Sequence, residues 1–195
     1  MLFRSFIALQ LTETSRNTLA ELIDPYQTQD KYNEISWSNS ENYHITLAFL
    51  DDQSSSDLER LAEQLNFSDS PNIDLKFSVK ELSYFPYHSR PKALAALLEL
   101  DLKLEQLKNY TDQTLRISGI SYDKRKFIPH VTLGRIRGRK SPRLVIPPRF
   151  IELTLSCSGL TLFHSDLRSD GAIYTPIFTI NSESSRFDEL NDTWS

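Results

Sequence analysis

The 195 residues suit one domain, or two small lobes sharing a core, and 39% hydrophobic with 25% charged residues is the make-up of an ordinary globular protein. A lone cysteine, Cys157, excludes a disulfide framework and a cysteine metal cluster, and no run approaches the ~20 apolar residues that span a bilayer. The net charge of -4 hides an asymmetry, because Lys124 to Arg149 carries nine Lys and Arg and no acid, which leaves 13 basic against 26 acidic residues elsewhere.

Met1 to Ser5 moves straight into alternation and lacks the apolar core of a signal peptide, so a reducing, cytoplasmic setting is expected. Arg4 to Leu11 alternates as a first strand, with Phe6 and Ala8 on one face and Ile7 and Leu9 on the other. Thr12 is placed to cap a helix carried by Leu19, Leu22 and Ile23 and ended by Pro25. A strand follows over Tyr43 to Leu50, then a turn at Asp51-Asp52-Gln53. Ser56 and Glu59 form a capping box for a helix buried through Leu58, Leu61 and Leu65.

Ile73 to Phe85 and Lys92 to Leu100 read as two strands, and Ala93 to Leu98 is apolar on both faces, as in a central strand. Leu104, Leu107, Thr111 and Leu115 share one face of a third helix. Phe127 to Ile136 is the next strand and Gly138 to Pro148 a basic loop. Phe150 to Ser156, Gly159 to His164 and Ile173 to Ile180 read as closing strands. The expected domain spans residues 1–181, with a flexible tail over 182–195. The fold class is α+β: two pseudo-symmetric lobes of mainly antiparallel sheet, helices outside, and a central cleft.

Two of these strands share a pattern. His44-Ile45-Thr46-Leu47 and His130-Val131-Thr132-Leu133 both read His, apolar, Thr, apolar. In a strand this puts imidazole and hydroxyl on one face and the apolar pair on the other. Two such strands facing each other frame a four-point polar site. The basic stretch contains the second copy, which suggests a polyanionic substrate. His88 and His164 lack the pattern and read as structural or solvated. No Asp, Glu or Cys lies at ligand spacing around His44 and His130, so no metal site is expected.

These residues resemble the two-histidine (2H) phosphoesterases, most closely the RNA 2′,3′-cyclic phosphodiesterases, also called 2′-5′ RNA ligases. The resemblance rests on Arg4-Ser5-Phe6-Ile7-Ala8-Leu9, on Asn42 to Leu50, on Phe127 to Arg135, and on the closing Ser165, Gly171, Tyr174, Thr175 and Pro176. One departure is Asp51 after Phe49-Leu50, where the family often has Gly. The resemblance implies hydrolysis of RNA 2′,3′-cyclic phosphate ends to 2′-phosphates, with His44 as proton donor and His130 as proton acceptor.

Spacing alone does not say which histidine is which. One neutral and one protonated imidazole, in line across a phosphorus, supply base and acid at neutral pH. Thr46 and Thr132 would donate to the non-bridging oxygens. No cofactor is needed. Arg135 is a candidate phosphate contact, although strict alternation points it away unless Gly134 allows a kink or bulge. Phe127 is a candidate for stacking on a base. The expected partners are RNA ends or oligonucleotides with a cyclic phosphate, with no membrane and no obligatory protein partner, the protein being a monomer. Alternatives are a 2′-5′ RNA ligase, a 2′-5′ oligonucleotide phosphodiesterase, or a non-catalytic RNA-end binder.

Overall fold

Period-two burial carries the backbone into one sheet system, seen in a computed structural model that describes residues 2–67, 75–87, 90–138, 142–147, 151–168 and 171–181. The strands are β1 (Leu2–Leu11), β2 (Ile35–Trp37), β3 (His44–Ser54), β4 (Lys76–Phe85), β5 (Ala93–Leu98), β6 (His130–Ile136), β7 (Leu153–Arg168) and β8 (Gly171–Asn181). The helices are α1 (Glu13–Gln29), α2 (Ser55–Phe67) and α3 (Leu102–Ile117). Among the described residues every strand pairing is antiparallel. None of the described helices is long and apolar enough to cross a membrane.

The pairings form two halves. One runs β3-β1-β7-β8 and the other β2-β6-β5-β4. They join where the first residues of β7 pair with β4, and where β3 meets β6 through one pair, Ile45 opposite Val131. Ile45, Leu47, Val131 and Leu133 are buried in the main core, while His44, Thr46, His130 and Thr132 stand half-buried on the other face. Fully burying an Ile or Val side chain is worth about 1.5–3 kcal/mol. A slip of one residue in either motif strand would therefore exchange apolar pair for polar pair at a cost of several kcal/mol. The hydrophobic effect on one face thus fixes the aim of the histidines on the other.

Helix α1 packs on β7, while α2 and α3 pack on each other and against β3. Thr12 caps α1 as expected, its hydroxyl accepting from the Ser15 amide at 3.3 Å. Pro25 lies inside α1 and does not end it, because proline forfeits a single ladder bond and α1 closes with the Asp30 amide donating to the Tyr26 and Gln27 carbonyls. The cap of α2 is Ser54, not Ser56: its Oγ accepts from the Asp57 amide at 3.2 Å and donates to the Asp57 carboxylate at 2.6 Å. Asp51 to Gln53 is not a turn but the continuation of β3, which pairs with β1 out to Ser54 opposite Leu2.

β5 is buried at all six positions, as its apolar run demands. The two strands expected over Phe150 to His164 are one long strand, β7, which serves both halves. β6 begins at His130, and Phe127 to Pro129 precede it as irregular chain. The tail 182–195, His88 and part of the basic loop lie outside the described residues.

Candidate active site

The two halves leave a cleft of about 340 Å³ whose walls include His44, Thr46, His130, Thr132 and Arg135. Both histidines are held in the same way. The Nδ1–H of His44 donates to the Asn42 carbonyl at 2.7 Å, and that of His130 to the Ile128 carbonyl at 2.8 Å. A carbonyl only accepts, so each Nδ1 carries a proton and each Nε2 is the atom that gains or loses one. The acceptor is the carbonyl two residues upstream in both cases, so the sequence local to each motif sets the tautomer. His44 Nε2 lies 3.1 Å from the Thr46 hydroxyl, which donates to it when the ring is neutral.

Aromatic rings back both imidazoles. Phe6 lies 5.0 Å from His44 and Phe85 lies 4.5 Å from His130, centroid to centroid, each tilted by 33°. Tyr174 meets His44 edge-on at 5.2 Å. Phe6, Ala8 and Phe163 form a small apolar cluster of their own beneath His44, with Tyr174 against it. This surrounding pushes the His44 imidazolium down to about pKa 4, chiefly by burial and further by the charges of His130 and Arg135. His130 is also lowered, again chiefly by burial, with Arg135 adding to it. Both rings are therefore neutral near pH 7.

Arg135 reaches the cleft because β6 departs from strict alternation. Gly134 pairs with Leu94 and Thr132 with Ala95, so Leu133 is an extra residue opposite β5 and the side-chain faces exchange after it. Leu133 and Gly134 are both buried, and Arg135 emerges on the histidine side. Gly134 is required by closeness: a Cβ there would lie 2.5 Å from Ile35 Cγ2 and 3.2 Å from the Ser36 carbonyl oxygen of β2. Among the described residues, Arg4 and Arg135 are the charged side chains on the wall, and no carboxylate accompanies them. Such a lining favours an anion.

Phe127 is not on the cleft wall. It packs against the main core, with Lys108 Nζ 5.9 Å from its ring, and Lys108 is paired with Asp112. An aromatic just ahead of a strand has gone to the core, away from the cleft in which Phe127 was expected to stack on a base. His164 stacks edge-on against Phe3 at 5.3 Å and stands outside the cleft. Phe6 and Phe85, behind the imidazoles, were not expected at the site, although alternation already put Phe6 on the face opposite Ile7 and Leu9. Nor was Asn42, whose Nδ2 donates to the Ala172 carbonyl at 3.2 Å and so ties β8 to the entry of β3. No group of three or more His, Cys, Asp or Glu able to hold a metal ion occurs among the described residues.

The sequence matches the family described as LigT like Phosphoesterase over residues 9–94 and 99–174. A curated relative from Thermotoga maritima, named RNA 2′,3′-cyclic phosphodiesterase, is 25% identical over 92% of this chain and 96% of its own length. One from Aquifex aeolicus with the same name is 28% identical over 89% of this chain and 94% of its own. Among solved structures, TT0787 of Thermus thermophilus superposes with a TM-score of 0.76 at 22% identity, covering 94% of this chain and 100% of that one. Escherichia coli LigT complexed with 3′-AMP gives 0.73 at 22% identity, over 93% and 98% of the two chains. With the paired strands, the cleft and this match in hand, the chain belongs to the LigT-like phosphoesterases.

Proposed function

We propose that this protein hydrolyses RNA 2′,3′-cyclic phosphate ends to 2′-phosphate ends, with His44 as the proton donor and His130 as the proton acceptor. The observation that carries the reading is the pair of His-x-Thr strands on opposing walls, each imidazole holding Nδ1–H on a carbonyl and presenting Nε2. The names of the curated relatives support the substrate class. The cleft supports an anion through Arg135 and the absence of carboxylates among its described lining residues.

Neutral His130 takes a proton from water at Nε2 as the water oxygen attacks phosphorus. The P–O3′ bond breaks on the opposite side, and O3′ takes the Nε2 proton of His44. The 2′-phosphate remains, His44 is left neutral and His130 charged, and solvent resets both. Burial, with the charges of His130 and Arg135, holds His44 unprotonated at neutral pH, so the phosphate anion itself is what stabilises the imidazolium. Thr46, Thr132 and Arg135 donate to the non-bridging oxygens, where charge accumulates.

The test is a short RNA ending in a 2′,3′-cyclic phosphate, incubated in EDTA, with the 2′- and 3′-phosphate products resolved. Conversion to the 2′-phosphate that drops about 10²- to 10⁴-fold in His44→Ala and in His130→Ala is expected. Full activity in either variant would refute the two-histidine mechanism, and a 3′-phosphate product would reverse the assigned polarity.

A further inference from the structure

The chain that leads into β6 carries the histidine face beyond the cleft. Counting back from His130, Pro129 is buried, Ile128 is 38% exposed, Phe127 packs on the main core and Lys126 is exposed. Burial therefore alternates here as it does in the strand itself, and Ile128 and Lys126 continue the side of the chain on which His130 stands. Contacts from both halves fix this segment where β3 and β6 part. The Asp123 amide donates to the carbonyl of Phe49, a residue of the cleft wall, at 3.0 Å, and the Leu98 amide of β5 donates to the Pro129 carbonyl at 3.0 Å. Lys108 of α3 lies 5.4 Å from the Tyr122 ring and 5.9 Å from that of Phe127. Residues 122–129 thus form a held lip that runs from the wall of one half to the motif strand of the other.

The charges of the lip are already sorted. Its one acid, Asp123, is taken up by Arg125, whose Nε donates to the carboxylate at 2.6 Å and whose amide donates to it at 3.0 Å. Lys124 and Lys126 are exposed and have no ion pair among the described residues. At the other end of β6 the cations are more committed within the fold. Arg90 Nη2 donates to the Gly138 carbonyl at 2.9 Å, and Arg143 lies 3.9 Å from the Glu34 carboxylate and 4.5 Å over the Tyr32 ring. Lys126 is four residues before His130, about 13 Å of extended chain at most. At the roughly 3.4 Å rise of a stacked strand, that is about four nucleotides from a reacting phosphate.

We propose that Lys124 and Lys126 anchor the RNA strand that runs 5′ from the reacting end, each pairing with a backbone phosphate within about the first four nucleotides. This rests on the reading of the cleft as a site for RNA ends and adds a preference for longer ends over a cyclic mononucleotide, which cannot reach the lip. The contacts go to phosphate alone and carry no base preference.

Salt dependence reads these contacts separately from catalysis. An octaribonucleotide labelled at its 5′ end and ending in a 2′-phosphate is titrated by fluorescence anisotropy at about 50 to 200 mM salt, with adenosine 2′-phosphate as the unlabelled competitor. The proteins are the wild type, Lys124→Gln, Lys126→Gln, the double variant and Arg137→Gln. Each phosphate neutralised on a single strand adds about 0.7 to the slope of log Kd against log salt, so the wild-type slope should be about 1.4 steeper for the octamer than for the mononucleotide. Each lysine variant is expected to remove about half of that excess and to weaken the octamer about threefold, while mononucleotide binding stays within about twofold. Arg137→Gln leaves the slope as it is. Equal slopes for octamer and mononucleotide, or an excess that survives in the double variant, overturn the lip. A slope lowered by Arg137→Gln instead overturns it too, by sending the strand out over the other end of β6. Displacement of the octamer by an octaglutamate peptide, as effective as by unlabelled octamer, replaces RNA by an acidic protein as the occupant. Failure to hydrolyse a cyclic end, with these slopes as expected, overturns the catalytic reading and leaves the lip standing.

Discussion

Gly134→Ala puts the placement of Arg135 to a direct test. The added methyl would sit 2.5 Å from Ile35 Cγ2, with the Ser36 carbonyl oxygen at 3.2 Å and Trp37 Cα at 3.3 Å behind it. Ile35 is 2% exposed and β-branched, so its methyl has no free rotamer to retreat to, and β2 must move as a strand. Overpacking of this kind costs about 1–3 kcal/mol. For a chain of this length that lowers Tm by roughly 2–12 °C. The same shift falls on the bulge that turns Arg135 into the cleft, and a misplacement of about 1 Å costs up to about 10²-fold in rate. Thermal melting and kcat/KM on a cyclic-ended RNA read the two effects separately. A normal Tm would refute the steric argument. A lowered Tm with wild-type kcat/KM would refute the claim that the bulge serves Arg135.

The other expected outcomes concern the site's titration, its hydroxyls and its neighbours. His44, ordinarily near 6.5, is depressed to about 4 in the fold, so above pH 6.5 it is neutral in folded and unfolded chains alike and carries no penalty. As pH falls from 6.5 to about 4 the unfolded chain takes up this proton first, and stability drops by about 3 kcal/mol at most. Urea midpoints measured between pH 7 and 4 should fall more steeply for the wild type than for His44→Asn, and parallel curves would contradict this. Phosphate binding should raise the His44 midpoint, seen as an imidazole proton shift by NMR; an unchanged midpoint would remove the anion from its protonation. Thr132→Val should cost about 10- to 100-fold in kcat with little change in Tm, the loss expected for one hydrogen bond to a charged oxygen; an unchanged kcat would remove that bond. Phe127→Ala should cost about 3 kcal/mol of stability and leave KM within about twofold, whereas a large rise in KM would return Phe127 to the substrate.

What could be read from the sequence was whatever period-two alternation carries. The faces of β1, β3 and β6, the all-apolar β5 and the one-sided α3 follow from which residues can be taken out of water. Bulges escape that reading, because an extra residue leaves no mark in an alternating pattern until the register with its partner is known. Strict alternation alone would have turned Arg135 away from the cleft, and the glycine at 134 was the sole hint that it need not be. β2, only three residues long, is too short to carry a period, yet its closeness to Gly134 shapes the cleft. Asp51 to Gln53 mimics a turn in composition, but pairing with Phe3 to Ser5 of β1 outweighs the local preference. The shift of the α2 cap to Ser54 follows, since β3 runs on until that residue.

The narrow junction between the halves bears on the chemistry. β3 and β6 share one pair, Ile45 and Val131, each wholly buried, and the histidines flank that pair on the opposite face. A longer ladder would bring the strands to ordinary sheet spacing throughout, about 4.8 Å, with no room for a phosphate between the walls. No ladder at all would leave the distance between the imidazoles to be set by loops. A single apolar pair fixes one point of approach and lets the walls diverge from it. On the histidine face, Phe6, Phe163 and Tyr174 beside His44 and Phe85 beside His130 keep water back and hold both rings neutral. In the reaction proposed above, the cleft would then lack a strong acid until an anion enters it, so the phosphate that needs the proton would itself bring His44 into its charged form.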